Sequence, residues 1–117
     1  MMVHVITLSD VQIIGRSNNG VDESLESLGQ GADYLAVGAI FHTSTMGKGS
    51  RNAVGPEMIT RVKERVDKPV VAIGGITADN IVDVVRAGAD SVCVVSAITL
   101  AEDPYSATAH LAELMRV

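Results

Sequence analysis

Short apolar runs, stopped by glycine and separated by stretches with helical spacing, organise this chain. The sharpest run is Val70-Val71-Ala72-Ile73, opened by Pro69 and closed by Gly74-Gly75; its β-branched content suits a buried strand. Thr77-Ala78-Asp79-Asn80 then reads as a helix start with Thr77 as N-cap, and Ile81, Val84 and Val85 share a helical face that stops at Gly88. Ser91 to Val95 repeats the strand theme and ends at Ser96-Ala97-Ile98, which reads as a helical turn. Pro104 opens a last helix with Ala107, Leu111 and Leu114 inward and His110 at the surface.

Upstream, Val11 to Gly15 predicts a strand and Arg16 to Gly20 a polar loop. Val21, Leu25 and Leu28 mark a helix face, with Asp22 and Glu23 at its N-terminus and Gly31 at its end. Tyr34 to Gly38 predicts the next strand, prolonged by Ala39 to Phe41. His42 to Val54 is a long polar loop carrying Thr43, Ser44, Thr45, Lys48 and Arg51, of the kind that is either functional or a disordered tip. Gly55-Pro56-Glu57 starts a helix whose buried stripe is Met58, Ile59, Val62 and Val66. Residues 1–10 are the least patterned: Val3-His4-Val5-Ile6 fits a remnant or an added edge strand, with the domain proper over 11–117.

Strand and helix alternate four times, and Gly31-Ala32-Asp33 recurs as Gly88-Ala89-Asp90, each glycine closing a helix and each triplet turning into a strand. The class is therefore α/β with parallel strands and right-handed crossovers. Four such units make half of a (β/α)8 barrel, a (β/α)4 sheet that leaves edges and one face open. The residues left on that face, in the company of Val70, Ile73, Val92 and Val94, are expected to be nearly all apolar.

Composition narrows the function. At 117 residues the chain is one small domain, and a hydrophobic content of 47% with only 3% aromatic makes its core aliphatic. A net charge of −5 argues against nucleic acid or an anionic membrane as partner. It leaves a phosphate ligand open, because glycine amides and helix N-termini bind anions without net positive charge. Cys93 stands alone, so no disulfide forms within the chain and a cytoplasmic setting is expected. A strand ending in Gly74-Gly75, followed by one ending in Val95-Ser96, fits the phosphate site that barrel loops build after their last two strands; two buried strands with ordinary tight turns fit the same residues.

The run Ile14-Gly15-Arg16-Ser17, with Gly31-Ala32-Asp33-Tyr34, Phe41-His42-Thr43-Ser44-Thr45, Ile73-Gly74-Gly75-Ile76-Thr77 and Val95-Ser96-Ala97-Ile98, resembles thiamin phosphate synthase, in order and spacing, from about Val11 to Val117. It is similar to the C-terminal half of that family's barrel, and the thiazole tautomerases are close relatives. The resemblance implies a transferase that joins a hydroxymethylpyrimidine diphosphate to a thiazole phosphate, with Mg²⁺, and expels pyrophosphate. It implies Thr43, Ser44 and Thr45 on the thiazole side, Gly74, Gly75, Val95 and Ser96 around the thiazole phosphate, and Ser17 at the diphosphate.

The chain departs from the family at Met46, where the family has a lysine, at Asn19, where it has a histidine, and at His42, where it has a proline. Lys48 lies two residues beyond Met46. The half that holds the family's pyrimidine-binding cations and Mg²⁺ aspartates has no counterpart here; Asp10 is at most a remnant of it, so no Mg²⁺ ligand is assigned. The expected partners are the two substrates and either a second copy or a complementing N-terminal half. The other expectation is a phosphate-binding module without independent catalysis.

Overall fold

The computed structural model describes residues 12–42 and 53–117. Readings that fall on residues 1–11 and 43–52, among them His4, Asp10, Thr43, Ser44, Thr45, Met46, Lys48 and Arg51, lie outside the described residues. The elements run β1 (Gly15–Asn18), α1 (Val21–Gly29), β2 (Tyr34–Val37), α2 (Glu57–Arg65), β3 (Val70–Ile73), α3 (Ile81–Arg86), β4 (Ser91–Cys93), α4 (Ser96–Thr99) and α5 (Pro104–Leu114). The four strands form one sheet in the order β1-β2-β3-β4, every pair parallel. This is the expected (β/α)4 class, an open sheet rather than a closed barrel. No helix among the described residues is long and apolar enough to cross a membrane.

The core lies between the sheet and its helices. Leu35, Val37, Val70 and Ala72 alternate inward along β2 and β3 and meet Ile59 and Val62 of α2 and Ile81 and Val84 of α3, all fully buried. The stripe expected for α2 is the one observed, and Leu111 anchors α5 as its spacing requires. In α1 the periodicity is only part of the story. Val21, Leu25 and Leu28 pack against the core, but the fully buried side chains are Ser24 and Ser27. Their hydroxyls donate to the Gly20 carbonyl at 2.8 Å and to Asn18 Oδ1 at 2.7 Å, so two short polar side chains let the helix sit close to β1 with no polar atom unpaired.

The repeated Gly-Ala-Asp triplet does more than end helices. Gly31 and Gly88 take φ of +92° and +113°, and the amides at 31–32 and 88–89 close α1 and α3 in the same way: Ala32 N–H donates to Ser27 O, and Ala89 N–H to Val84 O. Each aspartate then reaches across to the start of the neighbouring parallel strand. Asp33 donates its N–H to Ile14 O at 2.7 Å and accepts from Ile14 N–H at 2.8 Å. Asp90 does the same with Val70, at 2.9 and 2.8 Å. Each aspartate thus pins where one strand begins against the next.

Three boundaries differ from the sequence reading. The first strand covers Gly15–Asn18 rather than 11–15, and Arg16 to Asn18, expected in a loop, lie in it. As an edge strand with one described neighbour, it can tolerate polar side chains, and the buried Asn18 is satisfied by the Ser27 hydroxyl and the Arg16 carbonyl. Ala39 to Phe41 do not extend β2 as a strand, although Ile40 and Phe41 still bond along the end of β3. The last strand stops at Cys93. The open face also differs. The register puts Gly15, Ser17 and Ala36 on it with Val71, Ile73 and Cys93, so it is small and mixed rather than nearly all apolar. Tyr34 covers Gly15, where a Cβ would coincide with its ring.

Asp90 offers a direct test of the strand-start pin. It also pairs with Lys63 Nζ at 2.8 Å, with both side chains part-exposed. The Lys63 hydrogen bond, then the Val70 N–H, hold its carboxyl below the ordinary aspartate value. Asp90→Ala should lower stability by about 1–2 kcal/mol at neutral pH, since it strands a part-buried N–H and removes a partly screened pair. Because the folded-state value is depressed, that contribution is whole above about pH 4 and is lost as pH falls through the lower folded value. Urea unfolding of both proteins from pH 7 to pH 3 should show the gap closing only at the acid end.

Candidate functional site

The C-terminal ends of the four strands lie along one end of the sheet, where α/β folds gather their chemistry. β1 ends in Ser17-Asn18-Asn19. Ser17 is exposed and, by register with Ala36, stands on the open face. Asn19 turns towards β2: its Nδ2 donates to the Gly38 carbonyl at 3.1 Å, while its own N–H donates to Glu23 Oε1 at 3.1 Å. The Gly38 N–H donates to the Asn18 carbonyl at 3.1 Å, so β1 holds Gly38 by both of its polar backbone groups.

On its other side Gly38 rests on β3. A Cβ at Gly38 would run into the Ile73 carbonyl oxygen. Ile40 and Phe41 follow, donating to the carbonyls of Ile73 and Gly74 at 3.0 Å each. Gly74 and Gly75 have φ of +108° and +66°. A Cβ on Gly74 would lie 2.7 Å from Ala39 Cα, and one on Gly75 would lie 2.6 Å from the His42 carbonyl oxygen. The glycine pair is therefore required twice, by its left-handed path and by backbone packed against it. The space beside the Gly75 α-carbon belongs to Phe41 and His42.

The Gly75 amide remains. The Gly74 carbonyl points at Phe41, and across a trans peptide the following N–H points the other way. The Gly75 N–H thereby points away from Phe41. Asn80 fixes the next peptide: its Nδ2 donates to Gly75 O at 3.0 Å, and its Oδ1 accepts from Thr77 N–H at 2.8 Å. The Thr77 hydroxyl in turn accepts from Asp79 N–H at 3.2 Å. Thr77, expected as the helix N-cap, caps only this entry turn; the regular helix begins at Ile81, with Asn80 at the N-cap position, because the turn through Ala78 and Asp79 precedes it.

β3 and β4 are neighbours with Ile73 paired to Cys93, so Gly74-Gly75 and Val94-Val95 leave the sheet side by side. Val95 is 47% exposed, and its carbonyl accepts from Ile98 and Thr99. Ser96 is half-buried at the first position of α4. Among the described residues the N–H groups of Ser96 and Ala97 have no backbone acceptor, as first-turn amides do not. The structure thus brings Gly74, Gly75, Val95 and Ser96 to adjacent strand ends and sets Ser17 on β1, on the far side of β2. Asn19, Gly38 and Asn80 were not singled out as scaffold by the sequence; a polar pair ending an edge strand and an asparagine three residues after Thr77 were the available signals.

Amides and hydroxyls of this kind suit an anionic oxygen. They do not suit Mg²⁺, which asks for carboxylate oxygens. Among the described residues no group of three or more His, Cys, Asp and Glu side chains could hold a metal ion.

Gly74→Ala tests the packing. The added methyl meets Ala39 at a φ that alanine adopts at a cost, so stability should fall by about 1–3 kcal/mol. Urea denaturation should show a lower midpoint with an unchanged slope; a wild-type midpoint would mean that the two backbones are not in contact.

Comparison with known proteins places these features. Residues 3–98 match the sequence model of the family described as thiamine monophosphate synthase. The chain is 46% identical over 106 residues to thiamine-phosphate synthase of Geobacillus kaustophilus, covering 90% of this chain and 48% of that protein. It is 47% identical over 100 residues to the thiamine-phosphate synthase of Haloquadratum walsbyi, covering 85% and 45%. In three dimensions it matches thiamine phosphate pyrophosphorylase from Pyrococcus furiosus with a TM-score of 0.78 and 40% identity, over 88% of this chain and 48% of that one. The chain spans about half the length of the curated relatives it matches.

Proposed function

Because the chain belongs to the thiamine monophosphate synthase family, we propose that it serves thiamin biosynthesis as the thiazole-phosphate half of a synthase site. The whole reaction joins a hydroxymethylpyrimidine diphosphate to a thiazole phosphate, the thiazole nitrogen taking the pyrimidine methylene as pyrophosphate leaves. The observation that carries the reading is that Gly74-Gly75 and Val95-Ser96 follow the ends of neighbouring strands, with Ile73 paired to Cys93.

In this reading the Gly75 amide and the first amides of α4, with the Ser96 hydroxyl, hold the thiazole phosphate, and Val95 supplies backbone beside it. Gly74 sets the turn. Ser17, on β1, meets the diphosphate of the second substrate, and Thr43, Ser44 and Thr45 flank the thiazole. The leaving pyrophosphate needs positive charge to balance it, which in this family is the work of Mg²⁺ and cations. The described strand ends, with amides and hydroxyls and no carboxylate cluster, do not fit that ion. Charge for the diphosphate falls to residues beyond those described, and a body other than this half-sheet completes the pocket. A soluble cytoplasmic setting accompanies the reading.

Calorimetry with thiazole phosphate tests the phosphate seat. Wild type should bind it with one site per chain, and Ser96→Ala should bind it about tenfold more weakly, the value of one hydrogen bond to a charged group. Equal affinities would move the site elsewhere. Gly75→Val is unsuitable, since its side chain meets His42 backbone and would report on folding instead. A turnover assay with both substrates and Mg²⁺ separates catalysis from binding alone: product from the isolated chain would remove the binding-only reading.

A further inference from the structure

Asn80 occupies the N-cap position of α3, yet its side chain makes no hydrogen bond to that helix. An N-cap asparagine ordinarily has extended backbone and accepts from an N–H of the first turn. Here φ is −128° and ψ −6°, and both polar atoms of the side chain are engaged upstream. Nδ2 donates to Gly75 O at 3.0 Å, and Oδ1 accepts from Thr77 N–H at 2.8 Å. The backbone adds a third link, from Asn80 N–H to Thr77 O at 3.2 Å. Helix entry accounts for the tie to Thr77, which is one half of a capping box with asparagine in place of glutamate or glutamine. It does not account for the tie to Gly75.

That tie falls where two held peptides meet. The Gly74 carbonyl is taken by Phe41 N–H and the Gly75 carbonyl by Asn80. Both peptides are trans, so each N–H points away from the group that holds its carbonyl. Among the described residues neither the Gly75 N–H nor the Ile76 N–H has an acceptor, although Ile76 is a buried residue. Only the Gly75 α-carbon joins the two peptides, at a φ of +66°. Glycine adopts either sign of φ about equally, so residue 75 does not by itself keep the peptides in this relation. Phe41 holds one of them and Asn80 the other.

We infer that Asn80 is a positioning residue for the phosphate seat: it fixes the Gly75–Ile76 peptide against the Gly74–Gly75 peptide, so that the Gly75 N–H is held before an anion arrives. The inference rests on the phosphate reading above and adds a residue that acts through Gly75. The residue type fits the task. The link needs a donor for the Gly75 carbonyl and an acceptor for the Thr77 N–H on one short stem, which asparagine supplies. Aspartate has no donor when ionised, and serine ends one bond earlier with a single oxygen. An amide already held in place loses less freedom on binding, so the hold is read out as affinity.

Calorimetry with thiazole phosphate on the full chain tests this, comparing wild type, Asn80→Ser and Thr77→Val. Serine is chosen over alanine because it caps helices as well as asparagine does, so the start of α3 survives while the tie to Gly75 is lost. Thr77→Val removes the hydroxyl that accepts from Asp79 N–H and so loosens the same turn, but it keeps the N–H that Asn80 holds. Asn80→Ser should bind about tenfold more weakly than wild type, and Thr77→Val within about twofold of it, although Thr77→Val lowers the urea midpoint. In amide spectra, inorganic phosphate should move the Gly75 cross-peak of wild type and of Thr77→Val, and at the same concentration leave that of Asn80→Ser nearly in place. Wild-type affinity in Asn80→Ser would overturn the inference and leave the phosphate seat standing. An equal loss in Thr77→Val would overturn it as well, because the firmness of the turn, not the hold on Gly75, would then set the affinity. A wild-type chain that binds neither ligand would remove the phosphate reading and the inference with it.

Discussion

Gly38, Gly74 and Gly75 let two stretches of backbone meet at separations that side chains would forbid. The chain leaving β2 presses on the end of β3 so closely that Ile40 and Phe41 take over the ladder where the strands stop. The path of the Gly74-Gly75 turn depends on this contact. It turns the Gly74 carbonyl to one side and hence the Gly75 amide to the other. Asn19 holds Gly38 from β1, and Asn80 holds Gly75 from α3, so the approach is braced from both directions. Amides aimed by packing rather than by a ligand lose little freedom when an anion arrives, which is what preorganisation of an anion site requires.

The other end of the sheet is built for a different purpose. Asp33 and Asp90 fasten the beginnings of neighbouring strands, and Lys63 and Thr60 of α2 tie that helix to Asp90 and to the Ala87 carbonyl. None of this approaches the C-terminal ends of the strands. The fold separates a fastened base from a shaped rim, as α/β barrels do.

Much of this could be read from the residues. Helices α2 and α5 follow the spacing of Ile59, Val62, Val66 and Leu111, because a 3.6-residue period leaves few alternatives. The parallel α/β class and the strand at 70–73 came from apolar runs between glycines, and the adjacency of Gly74-Gly75 and Val95-Ser96 followed from strand order. What the pattern missed has physical causes. β1 was placed four residues early, because an edge strand with a bare face need not look apolar, so Arg16-Ser17-Asn18 passes for a loop. Ser24 and Ser27 were overlooked because their burial depends on acceptors at Gly20 and Asn18 that hydrophobicity does not register. At Gly75 the neighbour that demands the missing side chain is Phe41-His42, and only three-dimensional proximity reveals that.

The twin aspartate fastenings bear on how the chain reaches its native state. Each links residues close in sequence, Asp33 to Ile14 across 19 positions and Asp90 to Val70 across 20. Each therefore closes a strand-helix-strand unit on itself, at a modest loop-closure cost. Among the described residues the pairing of β2 with β3 has no such aspartate fastening, and it must span the long connection between Val37 and Val70. Contacts that are local in sequence form faster than those that are not. The domain is in this sense two quarter-barrels joined by one slow seam, and at that seam Gly38 packs on Ile73 and Gly74 on Ala39.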